Sequence, residues 1–165
     1  MSLGNFFTVY ETAYATGYSP GASNISTQAH SFEVDLVAYL TSANLGVSIY
    51  PGHVPQPANL PAVCYQAIAE SPWYTIKRAS GLTIRTYQLS IFSTLYSDCC
   101  SIEVLLRNVL HGYQGPMGST AFTSVWLDQV RDLPYTPSAI DSDSGTFQRA
   151  IDYKIAFREP VPILY

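Results

Sequence analysis

The stretch from Phe147 to Arg158 constrains this chain most. Phe147, Ile151, Tyr153, Ile155 and Phe157 alternate with Gln148, Asp152, Lys154 and Arg158. That is the period-two pattern of a strand with one face in a core and the other in water. Pro160 and Pro162 stop it, because proline has no amide to give a ladder. Such a strand is stable only in a sheet with a covered apolar face, so the rest of the chain must supply partner strands and a cover.

Partner strands are legible. From Arg85 to Thr94, Tyr87, Leu89 and Ile91 face inward against Thr86, Gln88 and Ser90. Ala62 to Ala69 alternates more weakly, and Ser80-Gly81 predicts the turn of an antiparallel hairpin between the two. Val47 to Tyr50 is a short strand and Phe122 to Val130 another. Pro51-Gly52 opens a stiff loop with prolines at 55, 57 and 61, and residues 134 to 145 read as a second loop.

Two helices supply the cover. Ser31 is placed to cap the first, with Glu33 in its opening turn and Phe32, Leu36, Leu40 and Ala43 as its stripe. Ser97 or Asp98 is placed to cap the second, whose stripe is Cys99, Ile102, Leu106 and Val109, widened by Leu105 and Leu110. His111 and Gly112 fit its end. The expected fold is α+β, an antiparallel sheet of four or five strands with two helices packed on one face. Its core should include Leu36, Leu40, Leu89, Ile91, Ile102, Leu106, Ile151, Ile155 and Phe157.

A chain of 165 residues suits one domain, expected over 31 to 165. Residues 1 to 30 differ: Glu11 is their only charged side chain, and Tyr10, Tyr14 and Tyr18 recur every fourth position before Gly17, Pro20 and Gly21 interrupt any helix. They read as an N-terminal arm: either a short helix followed by a flexible stretch or a largely disordered segment, or one that orders against a neighbour through its tyrosines. Charged residues make up 12% of the chain, about half the ~25% of ordinary soluble domains. Part of the surface is therefore expected to be covered by other copies or partners. A net charge of −4, with Lys77-Arg78 the only adjacent basic pair, argues against gripping nucleic-acid phosphates. The opening residues lack the pattern of a secretory signal, and no apolar run approaches the ~20 residues that span a bilayer. The expectation is a cytosolic protein without a membrane partner.

Chemistry-bearing motifs are weak. Cys64, Cys99 and Cys100 lack the spacing of a zinc knuckle or redox motif and read as thiols. His30, His53 and His111 show no i, i+4 pair. Asp141-Ser-Asp143-Ser-Gly145 begins like a calcium loop, but its glycine comes one position early, and an Asx-rich turn accounts for it. Residues 112 to 118 lack the lysine of a phosphate loop, and no Gly-x-Ser-x-Gly elbow occurs. No catalytic residue, metal site or cofactor is assigned. One alternative of another class is a small-molecule-binding or hydrolytic site lined by Tyr50, His53, Tyr65 and Trp73, against which stands simple packing of the 51 to 61 loop.

Three stretches carry a family resemblance: a helix running into Gly46-Val-Ser-Ile-Tyr50-Pro51, a proline loop and Leu60-Pro61-Ala-Val-Cys-Tyr65; the long strand to Ser93 with the helix from Ser97 to His111; and the ending Phe147 to Glu159. In order and length these resemble the tail-completion or tail-terminator proteins of long-tailed bacteriophages. The resemblance implies a non-enzymatic virion protein, assembled in the host cytoplasm, that forms a ring, typically hexameric. It caps the tail tube and joins it to the head connector, with tube and connector proteins as partners and DNA passing through without specific binding. Other ring-forming virion or contractile-machine components are the alternative within that class. Contact residues are expected on the arm and loop ends: Tyr10, Tyr14 and Tyr18, then Tyr74, Lys77, Arg78, Tyr135, Asp141 and Asp143. Opposite charges at 77–78 and 141/143 would meet across a head-to-tail contact.

Overall fold

The computed structural model describes residues 25–55, 58–76, 79–138 and 144–159, with side chains from Phe32 onward. Residues 31–165 form a unit of their own, and the contacts below lie inside it. The elements are α1 (Ile25–Ser42), β1 (Ser48–Pro51), β2 (Ala62–Tyr74), β3 (Ala79–Ser93), α2 (Tyr96–Leu110), β4 (Gly115–Met117), β5 (Thr120–Pro137) and β6 (Gly145–Arg158).

The sheet corrects the expected one. It has six strands in the order β1-β2-β3-β6-β5-β4 and curls into a half-barrel, and it is mixed, because β1 runs parallel to β2. The other pairs are antiparallel. Two causes account for the difference. The proline loop after β1 carries the chain back to the end where β1 began, so β2 starts level with it: Ser48 pairs with Ala62. β4 has only three residues, too few for any period to register.

The strands also outrun their patterns. The β2–β3 turn lies beyond Tyr74, which pairs with Ala79, so Ser80 and Gly81 sit inside β3. β5 continues through Pro134 to Pro137. Pro134 falls in a bulge between Leu133 and Thr136, where no ladder amide is required.

Helix starts differ from their predicted caps. α1 begins at Ile25, which places Ser31 within it; the polar run before Phe32 has no apolar period to announce a helix. α2 begins at Tyr96 with Leu95 as N-cap and no side-chain cap bond. Asp98 instead accepts a hydrogen bond from the Ser93 hydroxyl at 3.1 Å, and that hydroxyl accepts one from the Leu95 amide at 3.1 Å.

All nine expected core residues are buried, joined by Phe32, Val63, Tyr87, Leu110, Met117, Phe122, Val125 and Tyr153. Phe32 projects from α1 among Tyr87, Phe122 and Phe157, with ring centroids 4.5–5.4 Å away. Leu105 is exposed, contrary to expectation, and Glu103 is buried, reaching Arg107 and Arg149. α1 is pinned to the β4–β5 turn by Asp35. One of its carboxylate oxygens accepts from the amides and hydroxyls of Ser119 and Thr120 at 2.8–2.9 Å. Gly118 in that turn has φ +57, and a Cβ there would collide with the Asp35 carboxylate, so glycine is required.

Candidate functional site

Residues 83, 85, 87, 89 and 91 of β3 and their partners on β6 face the helices. The even-numbered residues between them form the opposite, helix-free face, which carries a hydrogen-bonded ladder across four strands. Gln66 of β2 donates to Gln88 of β3 at 2.9 Å, and Gln88 donates to Asp152 of β6 at 3.0 Å. From β5, Gln129 and Arg131 donate to the same carboxylate at 2.7 and 2.8 Å. Asp152 is 1% exposed although it faces away from the core. Its long neighbours cover it, and the Arg131 guanidinium balances its charge. Beside it Lys154 pairs with Asp128 at 2.7 Å. The result is a polar, self-satisfied surface suited to water.

A second cluster lies where β6 meets α2. Arg149 spans Asp132 at 2.6 Å and Glu103 at 3.5 Å, and it lies over the Tyr96 ring. The Arg149 hydrogen bonds hold the Asp132 carboxyl below its usual range, and Asp132 in return raises the guanidinium. Arg149 also donates to the Cys100 sulfur at 3.3 Å. The three cysteines are free thiols, and burial pushes Cys64 and Cys99 up.

The apolar surface concentrates on the outer half of β2. Every residue from Gln66 to Ile76 is exposed, among them Ile68 (46%), Trp73 (57%), Tyr74 (73%) and Ile76 (fully). A smaller apolar patch on α2 comprises Leu95, Tyr96, Val104 and Leu105.

Of the expected contact residues, Tyr74 stands on this exposed arm. Tyr135 is partly exposed, but it also packs on Phe147 (centroids 4.8 Å apart) and against Gly145. Tyr10, Tyr14, Tyr18, Lys77, Arg78, Asp141 and Asp143 lie outside the described residues. The flanks of the two charged segments leave opposite ends of the sheet. Tyr74 and Ala79 lie at the end where Arg158 closes β6, and Pro137 and Gly145 at the end beyond the Ser93–Phe147 pair. Ile68, Ile76 and the Gln66–Gln88–Asp152–Gln129 ladder escaped the sequence reading. A solvent-facing Gln and Asp at period two looks like any wet strand face.

The alternative pocket does not assemble. Tyr50 and Tyr65 are neighbours across β1 and β2, since Pro51 pairs with Tyr65. Trp73 stands eight residues further along β2, roughly 26 Å at strand rise, and His53 is exposed. An open depression lies elsewhere, between Thr94, Tyr135, Gly145 and Phe147. Among the described residues no group of His, Cys, Asp and Glu is placed to hold a metal, and no helix is long and apolar enough to cross a membrane.

No protein-family model matches the chain, and no curated protein matches it. Solved structures do match. A chain of the virion of native gene transfer agent (GTA) particle superposes with a TM-score of 0.52 at 10% identity, covering 75% of this chain and 84% of that one. At that identity the likeness is one of fold.

Proposed function

We propose that this chain is a non-enzymatic structural protein of a phage-like virion, and specifically the tail terminator. In this reading it forms a closed ring, typically of six copies, that caps the tail tube and joins it to the head connector while DNA passes through. It assembles in the host cytoplasm and ends in the virion. The observation that carries this is the fold shared along most of both chains with a gene transfer agent virion chain. The exposed apolar arm on β2 agrees with it, since large apolar side chains left in water mark surfaces that another protein covers. The acidic balance and the polar helix-free face suit DNA that slides past rather than binds.

The test is electron microscopy of particles made with and without this gene. Loss of the protein should give tails of uncontrolled length that fail to join heads. Tails of normal length on filled heads would overturn the terminator role. Filaments grown from the purified chain would favour a tube subunit, because a head-to-tail contact that does not close propagates.

A further inference from the structure

Both long edges of the sheet are only partly covered, and the uncovered parts match. On the β2 side, β1 pairs with Ala62–Tyr65, and Gly52 then donates to the Tyr65 carbonyl at 2.9 Å. Beyond that, Gln66–Tyr74 has no strand on its outer side among the described residues. On the β5 side, β4 pairs with Thr120–Phe122. The turn after α2 then takes over: Gly112 and Tyr113 bond the Val125 backbone at 2.8 and 3.1 Å, and His111 accepts from the Leu127 amide at 3.2 Å. Beyond it, no further strand pairs with the outer side of Gln129–Pro137 among the described residues.

We propose that these two segments are the contact between copies: Gln66–Tyr74 of one copy adds antiparallel to Gln129–Pro137 of the next, so that the sheet runs on from subunit to subunit. The proposal deepens the ring reading and rests on it only for the number of copies. Three observations select a second copy as the occupant. The bare segments have equal length. β2 and β5 run in opposite directions within the sheet, so copies related by rotation about an axis to which the strands are inclined, as in a barrel, present them antiparallel. The outer half of β2 is exposed on both faces and carries Ile68 and Trp73, a surface that a soluble protein covers.

The register carries a geometric consequence. Gln66 is level with Gln129 through Gln88 and Asp152. Pairing the bare segments end for end therefore shifts the neighbour by about eight residues, roughly 27 Å along the strand. A closed ring absorbs such a stagger only if its strands are inclined to its axis, as in barrels. The contact is main-chain to main-chain with alternate side chains interleaved, the mode of strand addition, and it skips the donors that Pro72, Pro134 and Pro137 lack.

Hydrogen exchange of the full chain tests it, read by mass spectrometry at concentrations where it is assembled and where it is dispersed. Residues 66–74 and 129–137 should gain protection together on assembly. Two variants separate backbone pairing from side-chain docking. The Tyr65 carbonyl faces outward to Gly52, and two residues further on the alternation turns the Ala67 amide to the same side, so Ala67→Pro removes an outer-edge amide and spares the β2–β3 ladder bonds. It should weaken assembly about three- to tenfold per backbone bond lost, while Ala67→Ser weakens it less. An assembled ring in which both segments exchange at the dispersed rate would overturn the edge contact and leave the virion reading standing. So would equal loss in the proline and serine variants at Ala67. A paired, protected assembly that particles do without would keep the contact and overturn the terminator role.

Discussion

Asp35 shows how one carboxylate ties a helix to a turn. Burial alone would raise its carboxyl, but the hydroxyls and amides of Ser119 and Thr120 outweigh that and hold it below its ordinary value. A lowered folded value stabilises the protein above the ordinary carboxylate range of about 4. That contribution is lost as pH falls through the lowered value. Thermal unfolding followed between neutral and acid pH should therefore decline below about pH 4 in the native chain, and Asp35→Asn should be less stable near neutrality and show a shallower acid decline. Tyr153 is the opposite case. Its hydroxyl is buried with no hydrogen-bond partner among the described residues, and burial pushes its pKa up, so the phenol stays neutral and unsatisfied. Tyr153→Phe should leave the unfolding free energy unchanged or raise it by up to about 1 kcal/mol. A loss of stability would mean that the hydroxyl has a partner after all. In the core, Leu106 is fully buried between α2 and the sheet, and Leu106→Ala should cost about 2–5 kcal/mol in denaturant titration.

At the scale of elements, α2 begins without a side-chain cap. Leu95 occupies the N-cap in extended conformation (φ −119°, ψ 131°) and is 58% exposed. An oxygen-bearing side chain there would satisfy an orphan amide of the first turn. Leu95→Asp should raise stability by about 0.5–2 kcal/mol. If the same change weakens assembly, the leucine is kept for the apolar patch it forms with Tyr96, Val104 and Leu105. The outer β2 arm makes the reverse prediction. Trp73 and Ile76 are exposed, so replacing both with serine should shift the unfolding free energy by no more than about 0.5 kcal/mol each. Self-association, read by sedimentation, should fall.

For the whole molecule, the sheet is built from the middle outward. β3 and β6 pair along twelve residues and carry the two helices on one face, while the short β1 and β4 dress opposite ends of opposite edges. What remains bare is staggered, and a staggered pair of edges favours one neighbour in one register over random edge pairing. The N-terminal arm belongs to this scale as a proposal. Removing residues 1 to 24, which stop short of α1, should leave the far-ultraviolet dichroism intact and reduce contact between copies. A chain that unfolds on this deletion would make the segment part of the core.

The sequence by itself determined the central pieces: β3, β6, both helix stripes and the nine core leucines, isoleucines and phenylalanine. Each sits between a dry and a wet side, and that contrast writes a period into the residues. Only the tertiary structure decided the rest. Where a strand is bare on both faces, as in Gln66–Tyr74, no alternation exists to read. A three-residue strand such as β4 is too short for one, and the parallel course of β1 depends on where a loop returns. Asp152 was legible as a strand residue but not as a buried one. Its burial comes from Gln88, Gln129 and Arg131 on neighbouring strands, which register alone brings together.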